Sequence, residues 1–179
     1  DLAEGEIKQG LNRFDSSQSF ESYLEKSYCK TASLIANSSK AIGVLSDVDQ
    51  DSLNSLYFFG RQLGLAFQVV DDILDFTGND EQLGKPAASD LQSGYLTAPV
   101  FYALDESPYL GELISGKFLK KDDLDQALAL VRGSSAIRKS RELAEKFATE
   151  SKDSISWLPD SPSKQALLEL PEFVISRLY

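Results

Sequence analysis

The chain has 179 residues, 42% hydrophobic and 26% charged with 11 Gly and 6 Pro, which excludes wholesale disorder and suffices for one ordinary core. A formal charge of −10 argues against a general nucleic-acid binder, because phosphate backbones are held chiefly by Lys and Arg. A lone Cys29 and the absence of His remove an internal disulfide and the usual zinc, haem and Ser-His sites, so any metal must sit on oxygen ligands and be Mg²⁺, Mn²⁺ or Ca²⁺.

In chain order, residues 2–11 read as a short helix and residues 12–19 as a polar loop. Ser19 can cap the next helix, in which Phe20, Leu24, Tyr28, Thr31, Leu34 and Ile35 recur at helical spacing until Gly43. A long helix is predicted from about Gln50, capped by Asp49 or Asp51, through Phe76, because its apolar pattern continues across Gly60 and Gly64. Residues 77–88 read as a loop. Thr97 and Pro99 open a helix to Leu104, and Ser107 and Pro108 open another that stops at Gly116, both using the preference for Pro in a first turn. Residues 122–132, 135–157 and 163–179 complete the helices, with Pro171 expected to kink or break the last. No run alternates as a strand would, and none nears the roughly 18 apolar residues that span a bilayer. The acidic start is the wrong chemistry for a signal or transit peptide, and a chain that opens inside a predicted helix without any Met is expected to be a piece of a longer protein.

The segment from Gly64 to Asp75 carries the chemistry. At roughly 100° per residue, Gln68, Asp71, Asp72 and Asp75 share one narrow arc, while Leu65, Ala66, Val69, Val70, Ile73 and Leu74 take the rest. No Lys or Arg stands between Gln62 and Lys85 to relieve the three carboxylates. Such a stripe on an apolar helix is repelled and desolvated unless a cation sits among the carboxylates, and Mg²⁺ takes one or two carboxylates together with phosphates and water. A solvent-facing acidic patch is the plain alternative. Gly64 and Gln68 on the same stripe favour a lined cavity.

This segment, followed by Leu83-Gly84-Lys85-Pro86 and Asp90-Leu91, resembles the second aspartate-rich region of the trans-polyprenyl diphosphate synthases. Lys30-Thr31-Ala32 resembles the Lys-Thr motif of that family, and Gly5-Glu6 with Gln9 its GExxQ helix. The look is closest to the cyanobacterial and plastid branch that makes solanesyl diphosphate. The resemblance implies an all-α antiparallel helical bundle of the isoprenoid synthase type, present as its C-terminal half in a single domain over residues 1–179. It implies a Mg²⁺-dependent prenyltransferase, with Mn²⁺ as a substitute, that condenses isopentenyl diphosphate with an allylic diphosphate. A homodimer without a membrane span, in bacterial cytosol or plastid stroma, goes with it.

By the same resemblance Asp71, Asp72 and Asp75 hold the metal, Asp71 foremost. Lys30 contacts diphosphate, and the Thr31 hydroxyl and the Gln68 carbonyl face the developing allylic cation. Phe67 lines the prenyl tunnel and Lys85 closes over diphosphate. Each has a plainer reading. Lys30 can be a snorkelling lysine, Thr31 can satisfy itself on a carbonyl one turn back, Gln68 can simply bridge helices, and Phe67 can be core. Lys85 can be a solvated loop residue, and Asp90 can be an N-cap or a member of the metal network. Arg138, Lys139, Arg141 and Arg177 are expected on solvated helix faces.

Tyr95 stands where many members carry Lys or Asn. The family's first aspartate-rich motif and its neighbouring arginine do not occur in these residues, so the chain alone is expected to turn over little or nothing. A terpene cyclase on the related fold and a non-catalytic regulatory subunit are the competing readings.

Overall fold

The computed structural model describes residues 13–78 and 88–179, and among these every regular element is helical. A nearly continuous helical run opens the described part: α1 (Phe20–Ser27), a π-helical turn (Tyr28–Ala32) and α2 (Ser33–Leu45). A four-residue turn leads into α3 (Gln50–Thr77), followed by α4 (Ser89–Gln92), α5 (Ala98–Leu104), α6 (Pro108–Ser115), α7 (Asp123–Gly133), α8 (Ala136–Ser154) and α9 (Pro162–Ser176). The helix predicted over residues 2–11, with Gln9, lies outside the described residues, as does Lys85.

Local chemistry sets these boundaries. Ser19, Asp49 and Ser161 each accept a hydrogen bond from the backbone N–H three residues on, satisfying one of the orphan donors of a helix start. Pro99, Pro108 and Pro162 occupy first-turn positions, where a missing N–H costs nothing. Pro171 is different. It lies inside α9 and is buried there, and of the expected kink or break the break does not occur, since the helix continues to Ser176.

The 28-residue α3 is the axis of the bundle, packed chiefly between α2 and α8. Its apolar face, including Val69, Val70, Ile73 and Phe76, is almost fully buried and belongs to one core with Leu91, Leu96, Val100, Leu110, Ile114 and Ile155. At about 1.5–3 kcal/mol for each large apolar side chain removed from water, that face fixes the rotation of α3 and with it the direction of the carboxylate stripe. The α2–α3 crossing is antiparallel: Gly43 lies against Leu53 and Leu56, Gly60 against Ile35 and Ala36, and Gly64 against Ala32. A Cβ on Gly64 would come within 2.5 Å of the Ala32 Cα, so the two backbones touch where a side chain has no room. Gly64 therefore serves helix packing instead of lining a cavity.

The same close approach corrects the expected face of α1 and α2. The buried positions are Tyr23, Ser27, Cys29, Ala32, Ser33, Ala36 and Gly43, mostly small residues, whereas Leu34 is 62% exposed and Leu24, Tyr28, Thr31 and Ile35 are only half-buried. At Ala32 and Ala36 small residues win the interior because Gly64 and Gly60 of α3 approach too closely to admit more. At the far end, α9 runs antiparallel to α8: Lys152 pairs with Glu172, and the Tyr179 hydroxyl donates to Glu145. This brings Arg177 back to Phe67 and Asp71, toward the C-terminal end of α3.

Candidate active site

The π-turn carries Lys30 and Thr31. Its wider coil reduces the angle between successive side chains, and both neighbours face one cavity. The Ser33 N–H donates to the Tyr28 carbonyl five residues back, and the Ser33 hydroxyl donates to the Cys29 carbonyl. Nothing in the apolar spacing of residues 20–43 separates this turn from ordinary α-helix, so the sequence reading runs straight through it.

The cavity has a volume of about 980 Å³. It is lined from the π-turn by Lys30 and Thr31, from α3 by Phe67, Gln68, Asp71 and Asp72, from α4 by Asp90, and from α8 and the C-terminus by Arg141, Arg177 and Tyr179. Lys30, Thr31, Phe67, Gln68, Asp71 and Asp72 were thus brought together as one wall. Asp75 is not part of the lining.

The carboxylates of the stripe have three different environments. Asp71 is part-exposed, and its Oδ1 accepts from Arg177 Nη2 at 2.7 Å. Asp72 is 2% exposed: its Oδ2 accepts from the Tyr23 hydroxyl at 2.7 Å and its Oδ1 from Gln68 Nε2 at 2.9 Å. Asp75 is 1% exposed and accepts from the Ser89 hydroxyl and the Asp90 N–H, both at 3.2 Å. Asp75 thereby caps α4 from outside it. The N-cap position itself belongs to Ala88, in the left-handed region at φ 57°, so Asp90 is not the N-cap and instead lines the cavity.

Burial pushes the Asp72 carboxyl up to about 7 despite the bonds from Tyr23 and Gln68, and nearby Asp90 adds to the rise. Burial raises the Tyr23 hydroxyl well above its ordinary value, with the charge of Asp72 adding to it. Lys26 is lowered by burial, partly offset by Asp72. Its ammonium group reaches toward the Leu96 carbonyl at 3.4 Å.

Thr31 and Phe67 both depart from their plainer readings. Thr31 Oγ1 donates to Gln68 Oε1 at 2.7 Å instead of to a carbonyl one turn back, so Gln68 does bridge helices, and does so at the cavity wall. Phe67 is 37% exposed and carries the Arg177 guanidinium over its ring at 4.8 Å, so it is not a core residue.

Arg177 and Arg141 do not lie on solvated faces. Arg138 is exposed and pairs with Glu142, as a solvated face demands. Arg177 instead bonds Asp71 and stacks on Phe67, with its Nη1 buried, and Arg141 lies 5.3 Å from the Tyr179 ring centroid with its Nε buried. The carboxylate stripe is therefore relieved by a basic residue that the local sequence does not show. Tyr23 was missed as well; its place among the apolar residues of α1 hid a hydroxyl aimed at Asp72.

Among the described residues no three acidic, Cys or His side chains converge as a ready-made metal cluster. The donor set nonetheless suits a hard cation that keeps water and phosphate ligands, since Asp71, Asp72 and Asp90 share one cavity with Lys30.

The polyprenyl synthetase family model matches residues 1–131. The chain belongs to that family. A prenyl transferase of Synechocystis is 55% identical over 179 residues, all of this chain and 55% of the relative. The chloroplastic solanesyl diphosphate synthase 2 of Arabidopsis thaliana is 44% identical over 178 residues, 99% of this chain and 43% of the relative. A polyprenyl synthase structure from Caulobacter crescentus, complexed with calcium and isoprenyl diphosphate, superimposes with a TM-score of 0.87 at 35% identity, covering 98% of this chain and 55% of that one. The helical fold is that of the prenyl synthases, and the likeness to cyanobacterial and plastid enzymes holds. The chain spans about half the length of the curated relatives it matches. Their matched part is C-terminal, as the motif order implied. No helix of the described residues is long and apolar enough to cross a membrane.

Proposed function

We propose that these residues form the part of a trans-prenyltransferase that grips the allylic diphosphate, in an enzyme that joins an allylic diphosphate to isopentenyl diphosphate. The observation that carries this reading is the common cavity of Lys30, Thr31, Gln68, Asp71 and Asp72. Asp71 is the direct metal ligand, Asp72 stands beside it on the cavity wall, and Asp75, which caps α4, acts through water; the metal is Mg²⁺ or, in its place, Mn²⁺. Bound there, the ion would neutralise the leaving diphosphate.

The protein's own groups supply the rest. Lys30 binds the diphosphate from the π-turn, and Lys85 closes over it. Phe67 lines the path of the prenyl chain. The Thr31 and Gln68 oxygens turn partial negative charge toward the developing allylic cation, a stabilisation that grows as charge develops. The 179 residues make one domain and carry one side of the diphosphate clamp, so by themselves they turn over little. A homodimer uses the exposed Leu34, Ile42 and Leu45 of α2. Bacterial cytosol or plastid stroma is the setting, in keeping with the sources of the relatives.

A chimera tests the reading: the 179 residues replace their counterparts in the Synechocystis relative, and Mg²⁺, farnesyl diphosphate and labelled isopentenyl diphosphate are supplied. Chain-elongated product that disappears with Asp71→Ala is expected. A folded chimera without product, or one indifferent to Asp71→Ala, refutes it.

A further inference from the structure

We infer that Tyr23 is a positioning residue: through Asp72 it sets the amide of Gln68 so that the Gln68 carbonyl oxygen, not its NH₂, is turned to Thr31 at the cavity wall. The inference rests on the prenyl-transfer reading above and assigns the device that orients one of its groups.

Four side chains form one unbroken line. The Tyr23 hydroxyl donates to Asp72 Oδ2 at 2.7 Å, Gln68 Nε2 donates to Asp72 Oδ1 at 2.9 Å, and Thr31 Oγ1 donates to Gln68 Oε1 at 2.7 Å. A glutamine amide is nearly symmetric in shape, and its two orientations differ only in which end donates. In the arrangement seen, Asp72 accepts at both oxygens, from Tyr23 and from the NH₂ end of Gln68, and leaves the Gln68 oxygen for Thr31. Reversing the amide would set carbonyl oxygen against carboxylate oxygen in a buried place, where an unmade bond is costly.

Tyr23 makes the arrangement one-sided. It is 1% exposed, held against Phe20 and Phe101 at ring separations of 5.4 and 5.8 Å, and its hydroxyl occupies the second oxygen of Asp72. With one oxygen taken by Tyr23 and the other by Gln68, the Asp72 carboxylate cannot rotate away without breaking a buried bond. The consequence reaches the cavity because Thr31 and Gln68 line it. An oxygen there favours a carbocation; an NH₂ there would repel one.

Tyr23→Phe tests this, because it deletes the hydroxyl and keeps the ring. In the 179-residue chain, the side-chain amide resonances of Gln68 are expected to shift and to exchange faster, while pyrophosphate with Mg²⁺ binds within about twofold of the parent. In the chimera, kcat is expected to fall about tenfold with both KM values within about twofold, the pattern of a contact used only in the transition state. Unchanged Gln68 resonances, or unchanged kcat, overturn the inference. A loss of Mg²⁺-dependent binding equal to the loss of kcat overturns it too, since Tyr23 would then support only a metal ligand. Should Tyr23→Phe not fold, Asp72→Asn serves: the amide of Asn accepts either end of Gln68, so doubled Gln68 resonances are expected and a single unshifted set is contrary. Failure of the parent chain to bind pyrophosphate with Mg²⁺ would instead defeat the prenyl-transfer reading, with the Gln68 resonances still readable.

Discussion

Arg177, at the C-cap of α9, donates to Asp71 on α3 at 2.7 Å, joining residues 106 positions apart. The guanidinium already neutralises Asp71, so if Asp71 is the metal ligand proposed above, Arg177 would compete with the cation for its carboxylate. Arg177→Gln is expected to tighten Mg²⁺ binding severalfold in the absence of pyrophosphate, measured by calorimetry. Weaker binding would mean that Arg177 organises the site. Because the pair is about a third exposed, its loss should cost at most about 1 kcal/mol of stability.

Gly64 predicts a packing defect. Its missing Cβ lies where the Ala32 backbone passes, and neither α3 nor the π-turn can yield without displacing the other. Gly64→Ala should destabilise the chain by about 1–3 kcal/mol despite its better helix propensity, read from the urea midpoint. Gly133, which has open space around it, is the control: the same substitution there should be neutral or slightly stabilising.

Asp72 predicts a pH dependence. Its folded value of about 7 lies above the ordinary 3.8, so the native state holds a proton that the unfolded chain has already lost. Its ionisation therefore works against folding: stability from this group is highest below about pH 4, falls as pH rises toward 7 and is level above that. The fall amounts to roughly 4 kcal/mol at most. Asp72→Asn should flatten that part of the urea-midpoint profile. Parallel profiles for the two proteins would be the contrary result.

The positions of most helices were readable from periodicity and end signals. Ser19, Asp49 and the first-turn prolines announce their helices because capping is a local interaction. The identity of the carboxylate wall was readable too, since Gln68, Asp71 and Asp72 share an arc set by helix geometry alone. What stayed hidden depends on distant neighbours. The core face of α2 is chosen by glycines on α3, so large apolar residues such as Leu34 point outward. Asp75 lies on the stripe but turns to cap α4, a short helix with no sequence signal of its own. Arg177 reaches Asp71 only because α9 folds back over α3.

On the function proposed above, the cavity beside Asp71 holds a diphosphate through a divalent cation. Titrating pyrophosphate into the 179-residue chain by calorimetry, with Mg²⁺ and then with EDTA, tests it most directly. Binding that requires Mg²⁺ and weakens about tenfold or more in Asp71→Ala is the predicted result. Binding of equal strength in EDTA, or unaffected by Asp71→Ala, would contradict it.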